Sequence, residues 1–185
     1  MAMGLIIRAP IPSDIDALAA LHSAAWREIY VPDLKVDEQP AGLEAELRLL
    51  WQRSVGRLPP GAVLRVAMDE HRRLAGFVAT LQDPRDRAID HLVALHTAPT
   101  LRGRGVGSAL MARLARDLAA GGRERMWCYV TRSNEGARAF FRRLGGFEGT
   151  SERIPVAGNV TCEEIRVFFP PLSVLRFRDT GASRR

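Results

Sequence analysis

Between Leu101 and Leu110 the chain reads LRGRGVGSAL, with three glycines and two arginines crowded where an amphipathic helix begins. Amides in the first turn of a helix lack intrahelical partners, and the helix dipole puts partial positive charge at that end. Gly103, Gly105 and Gly107 remove side chains that would hold a phosphate away from those amides, and Arg102 and Arg104 add charge at the rim. Each glycine costs roughly 1 kcal/mol of helix propensity, which charge-assisted hydrogen bonds of about 1.5 to 3 kcal/mol each offset. The chemistry this pattern can do is to hold a diphosphate.

Three phosphate motifs compete for the stretch. A Walker A loop needs a lysine after its last glycine; here Ser108 follows Gly107, and the only lysine is Lys35, so a P-loop nucleotide hydrolase is excluded. Dinucleotide-fingerprint spacing from Gly103 and Gly105 falls on Ser108, a poor match, and the hairpin pattern upstream argues against a βαβ unit. What remains is Arg102-x-x-Gly105-x-Gly107.

The elements around it follow from hydrophobic periodicity. Residues 5–8 form a short strand, ended by Pro10 and Pro12, after which Ser13 is placed to cap a helix running to about Trp26. Leu43, Leu47, Leu50 and Trp51 mark a second helix, stopped before Pro59 and Pro60. Residues 63–69 and 74–81 read as an antiparallel hairpin, and 89–97 as a third sheet segment. Val106, Leu110, Leu114 and Leu118 line one face of the helix after the glycines. Strand 126–130, helix 134–144 and strands near 147–154 and 161–169 complete the order. Residues 1–170 are expected to form one domain, and the arginine-bearing segment 171–185 a basic, flexible tail.

The chain has 185 residues, 46% hydrophobic composition and a formal charge of +6, compatible with an anionic ligand of any kind. Cys128 and Cys162 lie in apolar runs without metal-ligand spacing, as in a reduced, cytoplasmic protein, and no metal is expected. The aliphatic run before Arg8 is too short for a signal-peptide core, and no segment approaches the ~18 apolar residues that span a bilayer. No stacking aromatics interleave with the arginines, which ranks nucleic-acid binding last.

With its context, LHTAPTLRGRGVGSALM, the glycine motif resembles the pyrophosphate passage of the GNAT superfamily of N-acetyltransferases, and SNEGARAFFRRLGGFE resembles the segment after that family's next strand. The element order agrees to about Phe169. The resemblance implies an α+β fold with a mixed, mostly antiparallel central sheet flanked by helices in three α-β-α layers. It implies acetyl-CoA as cosubstrate, with amides of Arg102, Gly103, Arg104, Gly105, Val106, Gly107 and Ser108 on the pyrophosphate, and the backbone of Leu95, His96 and Thr97 beside the pantetheine arm. Asn134 matches the family's cofactor-contacting asparagine. Phe141 occupies the cofactor-side position where the family frequently places a tyrosine as acid to the sulfur, and phenylalanine has no proton to give. The resemblance also allows a homodimer.

Acetyl transfer to an alkyl amine of pKa near 10.4 starts from an ammonium at pH 7, a handicap of roughly 4.6 kcal/mol, so a base is expected. Candidates are Asp90, His91, His96, Glu28 and Tyr30, with Tyr129 a conceivable acid. His91 and His96 are five apart and point to opposite faces of a regular strand unless a bulge intervenes; Asp90 and His96 would then share a face. Trp26, Arg27 and Tyr30 are placed to shape an acceptor pocket, and the acidic stretch Glu28, Asp33, Asp37, Glu38, Glu44 and Glu46 would suit a cationic amine. The expected activity is acetylation of a primary amine of a small molecule, with a peptide or protein acceptor, or a non-catalytic acyl-CoA sensor, as alternatives.

Overall fold

The computed structural model describes residues 4–31, 41–157 and 160–175. Among the described residues seven strands form one sheet: β1 (Ile6–Arg8), β2 (Val63–Met68), β3 (Leu74–Gln82), β4 (Ile89–Thr97), β5 (Arg125–Thr131), β6 (Phe147–Ala157) and β7 (Val160–Phe168). Their spatial order is β1-β2-β3-β4-β5-β7-β6, with β4 and β5 parallel and the other neighbours antiparallel. Helices α1 (Ile15–Tyr30) and α2 (Leu43–Ser54) cover one face, α3 (Val106–Ala120) and α4 (Glu135–Arg143) the other, giving the three layers expected.

Each face buries its own core. Leu18, Trp51, Val66, Phe77 and Ala94 pack under α1 and α2; Leu110, Met111, Leu114 and Leu118 of α3 are fully buried with Val78, Leu92 and Val167 on the opposite face. At about 1.5–3 kcal/mol per large apolar side chain, those α3 residues fix the helix firmly, and with it the amides at its start. Gly76 of β3 makes that docking possible: a Cβ there would lie 2.6 Å from the His96 carbonyl and 3.2 Å from Val106 and Leu110.

The decisive irregularity is in β4. Ala79 of β3 faces Ala94, but Thr80 faces Leu92, so Val93 is a bulged residue without an opposite number. Leu92 therefore joins the α3 core while Ala94 joins the α1 core. The same shift overturns the face assignment made from a regular strand. Asp90 and His96 point to opposite faces, and His91 shares the α1 face with His96.

β4 pairs with β5 only from Ile89–Arg125 to Leu92–Cys128; beyond the bulge both strands continue, to Thr97 and Thr131, with no ladder between them. The seam thus opens toward the N-terminus of α3.

Other boundaries differ from expectation in small ways. α1 runs one turn past Trp26, and Ser13 does not cap it: the Asp14 carboxylate accepts the Ile11 amide at 2.8 Å while paired with Arg8. Leu172 and Leu175 are buried in the α3-side core, so the packed chain continues past Pro171; the arginines expected in the tail, Arg176, Arg178, Arg184 and Arg185, lie outside the described residues.

Candidate functional site

At the start of α3, Gly105 is the N-cap with φ 89° and no side-chain hydrogen bond to the first turn, and Gly103 has φ 72°; both need glycine's access to the left-handed region. The amides of Val106, Gly107 and Ser108 thus begin the helix uncapped. Gly107 is ordinary helix, but a Cβ on it would lie 3.4 Å from Phe140 and 3.8 Å from Thr97, filling the gap between α3, β4 and α4. Arg104 is exposed. Arg102 reaches across to Glu28 near the end of α1 in a two-pronged ion pair, 2.6 Å for its second bond, and the guanidinium holds the Glu28 carboxyl below its usual range. Glu28 is therefore an ionised partner for Arg102 rather than a base.

Along the open seam, Leu95, His96 and Thr97 pair with Val78, Phe77 and Gly76 of β3 on one side, leaving the other backbone edge without a strand partner. The His96 ring lies 5.2 Å from both His22 and Phe77, where burial drives its pKa down to about 3. What His96 offers a ligand is backbone. Asn134 is the N-cap of α4, its Oδ1 accepting the Ala137 amide at 3.0 Å. Phe141 is buried, packed edge-on against Phe140 and Phe169.

On the α1 face of β4, β5 and β7 a row of polar and aromatic groups stands in register. His91 stacks on Trp127 with centroids 3.9 Å apart, and the Arg166 guanidinium lies 4.9 Å from Trp127 and 5.1 Å from Tyr129. Burial, with Arg166 second, lowers the His91 pKa to about 4, so its imidazole is neutral near pH 7 and a weak base. Tyr129 donates to Glu152 at 3.3 Å and accepts from Arg166. Two residues along β7 from Arg166, Glu164 faces Thr131 of β5 and is only 5% exposed. The Tyr30 hydroxyl, at the end of α1, donates to its Oε1 at 3.0 Å, and burial raises the Glu164 carboxyl above the usual range.

Asp90 does not belong to this row. It is 0% exposed on the α3 face, bonded at 3.2 Å to Arg123, which also donates to the Gly61 carbonyl. β4 itself separates it from the His91 row, so Asp90 and His91, both candidate bases, do not share one site. Trp26 is buried 5.0 Å from Tyr30 and serves as core. Glu44 and Glu46 are exposed, while Asp33, Asp37 and Glu38 lie outside the described residues.

Sequence reasoning passed over Glu164 and Arg166. A signal was there: in VTCEEIRVF Glu164 and Arg166 stand at i and i+2 on either side of Ile165, which puts both on one face. Among the described residues no three His, Cys, Asp or Glu side chains cluster as metal ligands would, and no helix is long and apolar enough to cross a membrane.

Comparison with known proteins agrees with this geometry. No curated protein sequence matches the chain significantly. Among solved structures it is similar to a spermidine N-acetyltransferase from Vibrio cholerae in complex with CoA and spermine (TM-score 0.69, 17% identity, 91% of this chain and 96% of that one). It is similar also to a ribosomal-protein-alanine N-acetyltransferase from Brucella melitensis (0.67, 19%, 88% and 98%), and to the PaiA N-acetyltransferase of Thermoplasma acidophilum in complex with coenzyme A (0.64, 16%, 89% and 98%). At these identities the likeness is one of fold. The family model for the acetyltransferase (GNAT) family matches residues 23–147, about two thirds of the sequence, and the chain is therefore a member of the GNAT family of acetyltransferases.

Proposed function

We propose that this chain transfers the acetyl group of acetyl-CoA to the primary amine of a small molecule. The observation that carries the reading is Glu164, a recessed carboxylate of raised proton affinity beside the open end of the β4–β5 seam. The cosubstrate supplies an acetyl thioester open to attack by an amine. The uncapped amides of Gly105 to Ser108, with the gap that a Gly107 side chain would fill, suit its diphosphate. The free edge of Leu95 to Thr97 suits the amide-bearing pantetheine arm, and Asn134 has its carboxamide nitrogen to contribute once its oxygen caps α4.

Glu164 takes the ammonium proton, directly or through one water, and so makes the nucleophilic amine. Its partner Tyr30 is a neutral phenol, which orients the carboxylate without cancelling its basicity as a guanidinium would. Phe141 supplies no proton to the sulfur, and a thiol of pKa near 8.5 leaves with little help near neutral pH. Because Glu164 is buried against Tyr30 at the end of α1, a compact amine reaches it more readily than a side chain on a folded protein surface.

The test is calorimetric titration with acetyl-CoA and CoA, followed by a panel of amines and peptides. Gly107→Glu is the better disabling variant than Gly105→Glu, because Gly107 has helical backbone and its replacement needs no left-handed φ. Micromolar binding by the wild type, lost in Gly107→Glu, with transfer to small amines is the expected result. Transfer confined to peptides would reverse the acceptor class, binding without transfer would leave an acyl-CoA sensor, and no binding by the folded wild type would overturn the reading.

A further inference from the structure

Arg166 stands out among the partly buried arginines. Arg8 grips Asp14 through two bonds of 2.6 and 2.9 Å, and Arg138 grips Glu148 through two of 3.0 and 2.9 Å. Arg166 has no such clamp. Its nearest carboxylate is Glu152, half-exposed at 3.5 Å, beyond the length of a charge-assisted hydrogen bond. Asp83 adds a further negative charge near it. Its Nε is buried without a hydrogen-bond partner among the described residues, and the guanidinium is held in place by the faces of Trp127 and Tyr129 and by the Tyr129 hydroxyl. A cation fixed by aromatic faces and left short of a carboxylate is preorganised to take one from a ligand.

Glu164 and Arg166 are two residues apart on one face of β7, so their side chains emerge about 7 Å from each other, opposite in charge. We infer that the acceptor is an amine that also bears an anionic group, of the α-amino acid type, seated with its ammonium toward Glu164 and its anion toward Arg166. This assignment rests on the acetyl-transfer reading above. It makes Arg166 the specificity-determining residue of the acceptor site, and it disfavours polyamines, whose second cation would face the guanidinium.

Matched triplets of acceptor test it: a free amino acid, its amide, and its decarboxylated amine, across small, aliphatic and aromatic side chains. In the wild type kcat/KM for at least one amino acid is expected to exceed that for its amide and amine by about tenfold or more, the factor carried by one charge-assisted hydrogen bond. Arg166→Gln is expected to collapse that ratio toward one, chiefly through KM, with acetyl-CoA affinity and a melting curve reporting that the variant is folded. Calorimetric binding of the N-acetylated amino acid, which needs no turnover, should weaken by a similar factor in Arg166→Gln and recover in part in Arg166→Lys. Equal or higher kcat/KM for amines and polyamines in the wild type would overturn the inference while leaving acetyl transfer intact. An Arg166→Gln variant that loses activity on all three acceptors alike, with the ratio preserved, would also overturn it. Absence of transfer to every amine would instead count against the acetyl-transfer reading, and the inference would then fall if the N-acetylated amino acids bound wild type and variant equally.

Discussion

Two buried carboxylates stand at the two ends of the β4–β5 seam, and they differ in the charge of their partners. Asp90, at the closed end, lies on the α3 face against the Arg123 guanidinium; Glu164, beside the open end, lies on the α1 face against the Tyr30 phenol. Burial pushes both carboxyls toward the protonated form. Arg123 pulls Asp90 part of the way back toward ionisation as a charged partner, whereas Tyr30 opposes the rise at Glu164 with a hydrogen bond alone and adds no charge. Burial alone does not mark a catalytic carboxylate. In the proposed mechanism the charge of the partner, and the side of the sheet on which the pair opens, do.

Substitution at each end would sharpen or break this contrast. After Gly107→Glu, which should abolish acetyl-CoA binding altogether, the largest effect is expected from Glu164→Gln: a fall in kcat of roughly 10²- to 10⁴-fold, the range of a lost general base. Wild-type kcat/KM should rise with pH through a group titrating above the ordinary carboxylate range, and this limb should vanish in the variant. Stability should respond to pH in the opposite direction. With its folded pKa raised, Glu164 favours the fold most when protonated and opposes it once pH exceeds that pKa, so Glu164→Gln at neutral pH should not lower the melting temperature. A lowered melting temperature with unchanged kcat would make Glu164 the structural carboxylate and erase the contrast.

At the closed end, Asp90→Ala leaves the Arg123 cation buried and unpaired, which is expected to cost about 3–5 kcal/mol in denaturant unfolding. Turnover measured where the variant is still folded should match the wild type; a large loss of kcat there would return Asp90 to the mechanism. The smallest effect concerns the pair that ties α1 to the phosphate loop. Both Arg102 and Glu28 are about half-exposed, so their ion pair is worth at most about 1 kcal/mol, and Glu28→Gln should tighten acetyl-CoA binding by about two- to fivefold as Arg102 is released. The gain should shrink with added salt, because the groups are solvent-screened.

Much of the scaffold was legible from local patterns. The apolar stripe of Val106, Leu110, Leu114 and Leu118 and the glycine cluster before it were enough to place α3 and its uncapped start, since both depend on near neighbours in the chain. Strand β4 was placed to the residue, from 89 to 97. Its faces were not. Whether His96 sides with Asp90 or His91 depends on Val93 being extruded, and that follows from how β3 and β4 settle against two different cores rather than from the alternation of β4 alone. The pairing of Glu164 with Tyr30 was missed for a related reason. Tyr30 and Glu164 are 134 positions apart, and no local pattern announces that the end of α1 meets β7.

By itself, then, the sequence determined the order of elements, the glycine-lined helix start and the lack of an ionisable proton on Phe141, because these follow from residue type and short-range geometry. Only the tertiary structure decided that Asp90 pairs with Arg123, that Glu28 holds Arg102, and that Glu164 keeps a neutral partner beside an opening in the sheet. A carboxylate's proton affinity is set by burial and by the charges packed against it, and both come into being only when distant segments meet.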